Sequence, residues 1–155
     1  MQRSKEESRV GAGRQVEDAR AWTLVFGAWL IAGASTLGAL FFGEIMKLPP
    51  CSLCWYQRIF MFPLVFVLPF ALFPLDRNVV RSVVPLAAFG GLLALLHVLI
   101  VEGIVPERVA PCRQGVPCSE TVIEWLGFVT IPLLSMTAFA AILVLLTLSL
   151  LRSSK

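Results

Sequence analysis

The sequence predicts an all-α integral membrane protein, a four-transmembrane-helix up-down bundle, from three observations. Of the 155 residues, 57% are hydrophobic and only 15% are charged, whereas soluble domains average about 45–50% apolar and about 25% charged residues. Four long runs of the chain carry no charge, and a chain this small could not bury so much apolar surface without lipid. The links between the runs are short, which favours antiparallel neighbours.

The four uncharged runs have the length of membrane spans. They contain 23, 17, 20 and 27 residues between flanking charges, and a spanning helix needs about 20 apolar residues. The second run reaches that length if its helix begins near Trp55 and includes Arg58. Open strands would leave backbone groups unpaired in lipid, so helices are expected. The predicted spans are about 21–43, 55–75, 82–101 and 125–151.

Basic residues are unevenly distributed around these spans. Nine of the 13 Lys and Arg residues lie in segment 1–20, in the 76–82 link or in segment 152–155. Because Lys and Arg are enriched on the cytoplasmic side, both termini are predicted to be cytoplasmic tails, the first of them loose. The loops near 44–54 and 102–124 then both face the extracytoplasmic side.

All four cysteines lie in or beside the two extracytoplasmic loops, as the pairs Cys51–Cys54 and Cys112–Cys118. Disulfides persist in such an oxidising compartment. A four-thiolate zinc site favours two tight pairs, and the second pair is too widely spaced, so no metal is predicted. Two structural disulfides remain an alternative interpretation.

The first pair has the spacing of redox-active cysteines. If the second helix begins near Trp55, Cys54 lies at its N-terminal end, where the helix dipole favours a thiolate. A thiolate is the form that attacks a disulfide or a quinone ring. The pair is therefore predicted to be catalytic, with an inert disulfide as the alternative.

The second pair encloses Gly115 and Pro117, which predict a turn. A disulfide between Cys112 and Cys118 would close only a small loop and would restrict the unfolded chain little. On an exposed loop it would be open to attack by a thiolate of another protein. The pair is predicted to be catalytic too, although a structural role stays open.

Two ionisable residues lie inside the predicted spans. Arg58 follows Cys54 by four residues, so both lie on one helical face. It is predicted to stabilise the Cys54 thiolate and an anionic reduced quinone, unless it only reaches to the interface. His97 lies near the outer end of the third span and is predicted to donate to a quinone carbonyl or to relay its protons. A hydrogen bond within the bundle is the alternative for this histidine.

Prolines and glycines inside the spans predict local features of packing. Prolines are expected to bend or loosen their helices: Pro63, Pro69, Pro85 and Pro132. Glycines are expected to let helices approach closely: Gly27, Gly33, Gly38, Gly90 and Gly91.

Four elements of the sequence occur together in a recognisable order. They are Cys-Ser-Leu-Cys-Trp-Tyr-Gln-Arg-Ile-Phe-Met-Phe-Pro-Leu at 51–64, His97, the Cys112–Cys118 pair, and Gly-Phe-Val-Thr-Ile-Pro-Leu-Leu-Ser at 127–135. From about residue 21 to the end, the chain resembles the DsbB/BdbC family of disulfide bond formation proteins. The loop spacing is similar to that of the shorter BdbC-type members.

The resemblance implies a four-helix protein of the bacterial cytoplasmic (inner) membrane. Such a protein reoxidises a thioredoxin-like thiol oxidase of the DsbA/BdbD type and passes the electrons to ubiquinone or menaquinone, which supports disulfide formation in exported proteins. By position, Cys54 would face the quinone with Arg58 beside it. Cys51 would exchange with Cys118, and Cys112 would form the mixed disulfide with the partner.

Other classes of protein fit the sequence less well. A non-catalytic membrane scaffold with two structural disulfides is the main alternative. A small transporter is also disfavoured, because the sequence lacks internal repeats, has no acidic residue at mid-membrane, and carries its polar groups at one face of the membrane. No basic run occurs outside the ends of the apolar segments, so nucleic acid is not an expected partner.

Overall fold

A computed structural model describes residues 2–47, 50–73, 75–106, 124–125 and 129–152. Four long helices dominate these ranges, so the predicted all-α class is confirmed. The helices are α1 (Gln2–Leu40), α2 (Ser52–Leu72), α3 (Arg77–Val101) and α4 (Ile131–Arg152). A π-helical segment, Phe41–Ile45, extends α1, and the two-residue strands β1 (Glu124–Trp125) and β2 (Val129–Thr130) pair antiparallel before α4.

Four stretches are long and apolar enough to cross a membrane. They are Gln15–Ile45, Ser52–Leu72, Arg77–Val101 and Ile131–Arg152. Large apolar side chains point outward from these helices, as lipid-facing residues do. The most exposed of them include Leu37, Phe66, Phe70, Leu92 and Val144.

The helices pack as a four-membered ring. The main contacts of α1 are with α2 and α4, and those of α3 are with the same two helices. The helices α1 and α2 run antiparallel, since Trp29 bonds to Val65 and Ala39 bonds to Arg58. The fully buried centre of the ring includes Val25, Leu64, Leu68, Phe139, Ile142 and Leu146.

Gly90 lets α3 and α4 approach closely. A Cβ at this position would lie 3.0 Å from Cδ1 of Phe139 and closer still to two other ring atoms. At Gly91 a Cβ would make ordinary contacts of 3.5 Å or more. The expectation of close contact was wrong for Gly33 and Gly38, where no atom of the described residues lies within 4 Å of such a Cβ.

Pro69 leaves one backbone carbonyl of α2 without its helical hydrogen-bond donor. Proline has no N–H, so the carbonyl four residues earlier, at Val65, loses its helical partner. The indole N–H of Trp29 in α1 donates to that carbonyl at 3.0 Å. A backbone group that would cost several kcal/mol if left unpaired in lipid is thereby satisfied.

The helix boundaries differ from the predicted ones at several ends. The helix α1 begins at Gln2, so residues 2–20 of the predicted loose tail are helical. The helix α4 begins at Ile131 rather than near 125. Pro132 therefore lies in the first turn, where an N–H has no helical partner anyway, and the prediction that it bends the helix was wrong.

Candidate functional site

Cys51 caps the N-terminus of α2. Its backbone is extended (φ −67°, ψ 165°), and its sulfur accepts a hydrogen bond from the Cys54 N–H at 3.3 Å. The helix begins at Ser52, three residues before the predicted start at Trp55. The position where the helix dipole most favours an anion is therefore that of Cys51, rather than that of Cys54.

The two sulfurs of the pair are in direct contact. Sγ of Cys51 lies 2.9 Å from Sγ of Cys54. The thiol hydrogen bond from Cys54 is the main cause that lowers the pKa of Cys51, and His97 lowers it further, while burial opposes both. In the reduced protein, Cys51 is thus the sulfur that more readily becomes a thiolate.

His97 of α3 contacts both the cysteine pair and Gln57 of α2. Its Nε2 lies 3.7 Å from Sγ of Cys51, and its Nδ1 lies 3.1 Å from Nε2 of Gln57. The side chains of both His97 and Gln57 are almost completely buried, at 3% and 5% exposure. With Nδ1 accepting from Gln57, the ring proton lies on Nε2 and points toward the sulfur.

The pair lies in an apolar cluster at one end of the bundle. Leu53 and Ile100 are buried against Cys51, and Leu96 and Val105 pack around them. Cys51 itself is 7% exposed, whereas Cys54 is half-buried. An attacking group therefore reaches Cys54 more easily, unless the end of the bundle opens.

Arg58 contacts the end of α1 and its π-helical extension. Its Nη2 donates to the carbonyl oxygen of Ala39 at 2.7 Å. A Cβ on Gly43 would lie 3.1 Å from Nη2, so the absence of a side chain there makes room for the guanidinium. The Cζ atom also lies 5.4 Å from the ring centroid of Trp55. The negative end of the α1 dipole adds to this stabilisation of the partly buried charge.

The structure brings three of the predicted site residues together and places a fourth nearby. Cys51, Cys54 and His97 form one cluster, and Arg58 lies one turn after Cys54 on α2. The predicted residues Cys112 and Cys118 lie outside the described residues. Gln57 was missed in the sequence, although an amide within an otherwise apolar span, one turn after a cysteine, is a usable signal.

Four helices of spanning length that carry a dithiol at one end define a multi-pass membrane protein of the thiol–disulfide oxidoreductase class. Residues 19–149 match the family model described as "Disulfide bond formation protein DsbB". The chain belongs to this DsbB family, as the sequence resemblance predicted.

Curated relatives agree with the family assignment. The chain is 44% identical to "Disulfide bond formation protein C" of Bacillus subtilis (strain 168) over 126 residues, which cover 80% of this chain and 90% of the relative. It is 43% identical to a "Probable disulfide formation protein" of Metapseudomonas resinovorans, covering 81% of this chain and 88% of the relative. No solved structure matches the chain significantly.

Proposed function

We propose that the protein is a disulfide:quinone oxidoreductase that reoxidises a thioredoxin-like thiol oxidase of the DsbA/BdbD type. The observation that carries the proposal is the contact of the Cys51 and Cys54 sulfurs, 2.9 Å apart, with His97 Nε2 3.7 Å from Cys51. An inert structural disulfide has no need of a buried imidazole aimed at one sulfur. A redox-active pair does need such a group, because one of its sulfurs must gain and lose negative charge.

The electrons enter through the second cysteine pair. A thiolate of the reduced partner attacks the Cys112–Cys118 disulfide at Cys112, and the bonding electron pair leaves on Cys118. The partner's second thiolate attacks the mixed disulfide and departs oxidised, leaving Cys112 and Cys118 reduced. The Cys118 thiolate then attacks Cys51, and the electron pair of the Cys51–Cys54 bond leaves on Cys54. The Cys112 thiolate attacks Cys118 in the resulting Cys51–Cys118 disulfide, which restores the Cys112–Cys118 bond and leaves an electron pair on Cys51.

The acceptor is a membrane quinone, ubiquinone or menaquinone, which takes up two electrons and two protons when it becomes a quinol. Cys54 and Arg58 are the residues that would hold its reactive edge. Cys54 is the more accessible sulfur of its pair. The guanidinium of Arg58 uses one N–H on Ala39 and has further donors for oxygen atoms that become negative. This donor set fits the group.

His97 serves the cysteines rather than the quinone in this proposal. The geometry supports this change from the sequence expectation, because Nε2 faces Cys51 and Nδ1 faces Gln57. The Nε2 proton stabilises a thiolate at Cys51. When the Cys51–Cys54 disulfide re-forms and its two electrons pass to the quinone, the same imidazole keeps its proton and remains in place for the next cycle.

The reaction takes place on the extracytoplasmic side of the bacterial cytoplasmic membrane, with both termini inside the cell. Support comes from the ends of the helices. Arg77 and Arg81 at the start of α3 and Arg152 at the end of α4 lie at the opposite end of the bundle from Cys51. Positive charge of this kind stays on the cytoplasmic side. Electrons from exported proteins would thus reach the membrane without entering the cell.

The test is turnover of a reduced thioredoxin-like partner by the purified protein with a ubiquinone or menaquinone analogue. Wild type is expected to consume one quinone per partner disulfide formed. Cys54→Ser is expected to abolish quinone reduction while the protein stays folded. Cys118→Ala, mixed with the oxidised partner, is expected to trap the partner on Cys112, because Cys118 can no longer displace it. A wild-type protein that folds, binds quinone and consumes no dithiol would support the alternative of a scaffold with two structural disulfides.

A further inference from the structure

The reduced site places three metal-ligating side chains together. Among the residues that the structure describes, Cys51, Cys54 and His97 form one group in which a ligand atom from each lies within 4.8 Å of the other two. The cluster is an integral part of the bundle, since Cys51 and His97 are 7% and 3% exposed. Two thiols and an imidazole are the ligands that Zn²⁺ and related soft cations prefer.

The distances in the cluster are close to those of a tetrahedral centre. With Zn–S bonds of about 2.3 Å and Zn–N bonds of about 2.0–2.1 Å, two sulfurs lie about 3.8 Å apart and a sulfur and a nitrogen about 3.6 Å apart. Cys51 Sγ already lies 3.7 Å from Nε2 of His97. The two sulfurs are 2.9 Å apart and would need to separate by roughly 0.9 Å.

Gln57 prepares the histidine for ligation. Metal-binding histidines almost always use their second ring nitrogen on a fixed partner, which sets the tautomer and the ring orientation. The Gln57 amide lies 3.1 Å from Nδ1, on the opposite side of the ring from the sulfurs. With the amide turned over, its oxygen accepts from Nδ1–H, and the Nε2 lone pair faces Cys51.

We propose that the reduced Cys51–Cys54 pair and His97 form a redox-dependent binding site for a soft divalent cation, with Zn²⁺ as the reference ion. Binding displaces the proton held between the two sulfurs and joins two thiolates, one neutral imidazole and the cation in a centre of net charge zero. A neutral centre suits an apolar cluster better than a free thiolate does. A fourth position stays open for water.

Disulfide formation and metal binding exclude each other at this site. In the oxidised protein both sulfurs are bonded to one another and no thiolate is left to ligate. The cation therefore stabilises the reduced pair, and by linkage it makes that pair a poorer electron donor. This effect on turnover rests on the proposed function, whereas the binding of the cation does not.

The binding experiment uses the full-length protein with Cys112 and Cys118 replaced by serine, so that only one dithiol remains. After reduction, Co²⁺ and Cd²⁺ are titrated and the thiolate-to-metal charge-transfer absorbance is recorded. One equivalent of metal and one released proton at neutral pH are expected for the reduced form, and neither signal for the oxidised form. Equal binding to the oxidised form would overturn the proposal.

Variants separate this site from a simple two-cysteine chelate. Gln57→Ala is expected to weaken binding on the order of ten- to a hundredfold, as the loss of an outer hydrogen bond does in other metal sites. His97→Ala is expected to weaken it at least as much. Glu102→Gln, at an exposed acidic residue near the same end of the bundle, is the matched control and is expected to bind normally. Unchanged affinity in a folded His97→Ala protein would overturn the proposal.

A measurement on the unmutated site guards against variants that fail to fold. X-ray absorption of the zinc-loaded reduced protein is expected to show sulfur at about 2.3 Å and nitrogen at about 2.0–2.1 Å, and a shell of sulfur alone would contradict the ligation by His97. Zn²⁺ is also expected to slow reoxidation of the pair by quinone, reversibly on chelation. If the metal-free protein reduces no quinone, the proposed function fails while the metal titration still stands.

Discussion

The amide of Gln57 lies 3.1 Å from Nδ1 of His97 and fixes the direction of the opposite ring nitrogen. That nitrogen lies 3.7 Å from Sγ of Cys51. Gln57 of α2 thus orients His97 of α3 toward the sulfur of Cys51, which caps α2. All three side chains are buried, so water offers little competition for either contact.

Gln57→Leu is expected to slow the alkylation of Cys51 by iodoacetamide in the reduced protein. The loss of one hydrogen bond costs about 0.5–1.5 kcal/mol, and about 1.4 kcal/mol is tenfold in a rate, so a two- to tenfold decrease is expected. His97→Asn is expected to have at least this effect. The double variant should react like His97→Asn alone, because Gln57 acts through the ring. Additive losses would mean that Gln57 affects Cys51 by another route.

Cys54→Ala is expected to raise the pKa of Cys51, because the thiol donor that chiefly lowers it is removed. A lowered pKa keeps Cys51 ionised at neutral pH, and the thiolate is lost only as the pH falls through the folded value. In the variant the alkylation profile of Cys51 should therefore move to higher pH. Cys54→Ser keeps a donor and is the matched control, with a smaller shift. Identical profiles for wild type and Cys54→Ala would contradict the role of the contact.

Arg58→Met is expected to weaken quinone reduction roughly ten- to a thousandfold, since one nearby charge contributes on the order of a few kcal/mol at a partly buried site. Arg58→Lys keeps the charge without the planar fork and should be milder. Exchange between the partner and the Cys112–Cys118 pair should be unaffected. Both half-reactions are measured by stopped flow. If Arg58→Met reduces quinone at the wild-type rate, Arg58 serves only as an anchor at the membrane interface.

Gly43→Ala offers a subtler test of the same group, and it leaves Arg58 in place. The added Cβ would lie 3.1 Å from Nη2, so the guanidinium must move away from the π-helical segment. A defect in quinone reduction smaller than that of Arg58→Met is expected. At Gly38 no atom of the described part of the chain lies within 4 Å of an added Cβ, and Gly38→Ala should behave as wild type.

Gly90→Ala is expected to destabilise the bundle by about 1–3 kcal/mol, the usual cost of overpacking a filled core. Its Cβ would enter the ring of Phe139, which is fully buried. Gly91→Ala adds the same atom one residue later, where the contacts are ordinary, and should be tolerated. Thermal unfolding in detergent, followed by circular dichroism, compares the two. Equal stability of both variants would show that the approach of α3 and α4 can relax at no cost.

The sidedness of the bundle is tested by single cysteines at its two ends. In a background with all four native cysteines replaced by serine, Glu102→Cys and Asn78→Cys each place one thiol at an exposed position. A membrane-impermeant maleimide should label Glu102→Cys in intact spheroplasts. Asn78→Cys should react only after the membrane is opened, because it lies beside the basic residues that start α3. The reverse pattern would invert the proposed orientation.

The number and order of the helices could be predicted from the sequence, because uncharged runs of about 20 residues have few alternatives in lipid. The exact helix ends could not be. The start of α2 depends on Cys51 acting as a cap, and a cysteine is an uncommon choice for that position. Residues 2–20 are helical too, although their sequence has no apolar pattern that predicts a helix.

The residues of the site could be predicted singly, but their contacts could not. Cys51, Cys54, Arg58 and His97 stood out because reactive or ionisable groups are rare within or beside membrane spans. That His97 faces Cys51 depends on the rotation of α3 against α2, which no local pattern encodes. The contact of Arg58 with Ala39 depends on the π-helical end of α1, for which the sequence has no simple signal.

The contact between Trp29 and the Val65 carbonyl has a consequence for the azimuth of α2, its angle of rotation about its own axis. Val65 follows Arg58 by seven residues, which is about two turns, and both residues bond to α1, through Trp29 and Ala39 respectively. Two hydrogen bonds on one face of α2, about two turns apart, restrict its rotation about its own axis. Gln57 precedes Arg58 by one residue and so points about 100° away, toward α3. A proline far from the cysteines thereby helps to aim the amide that orients His97.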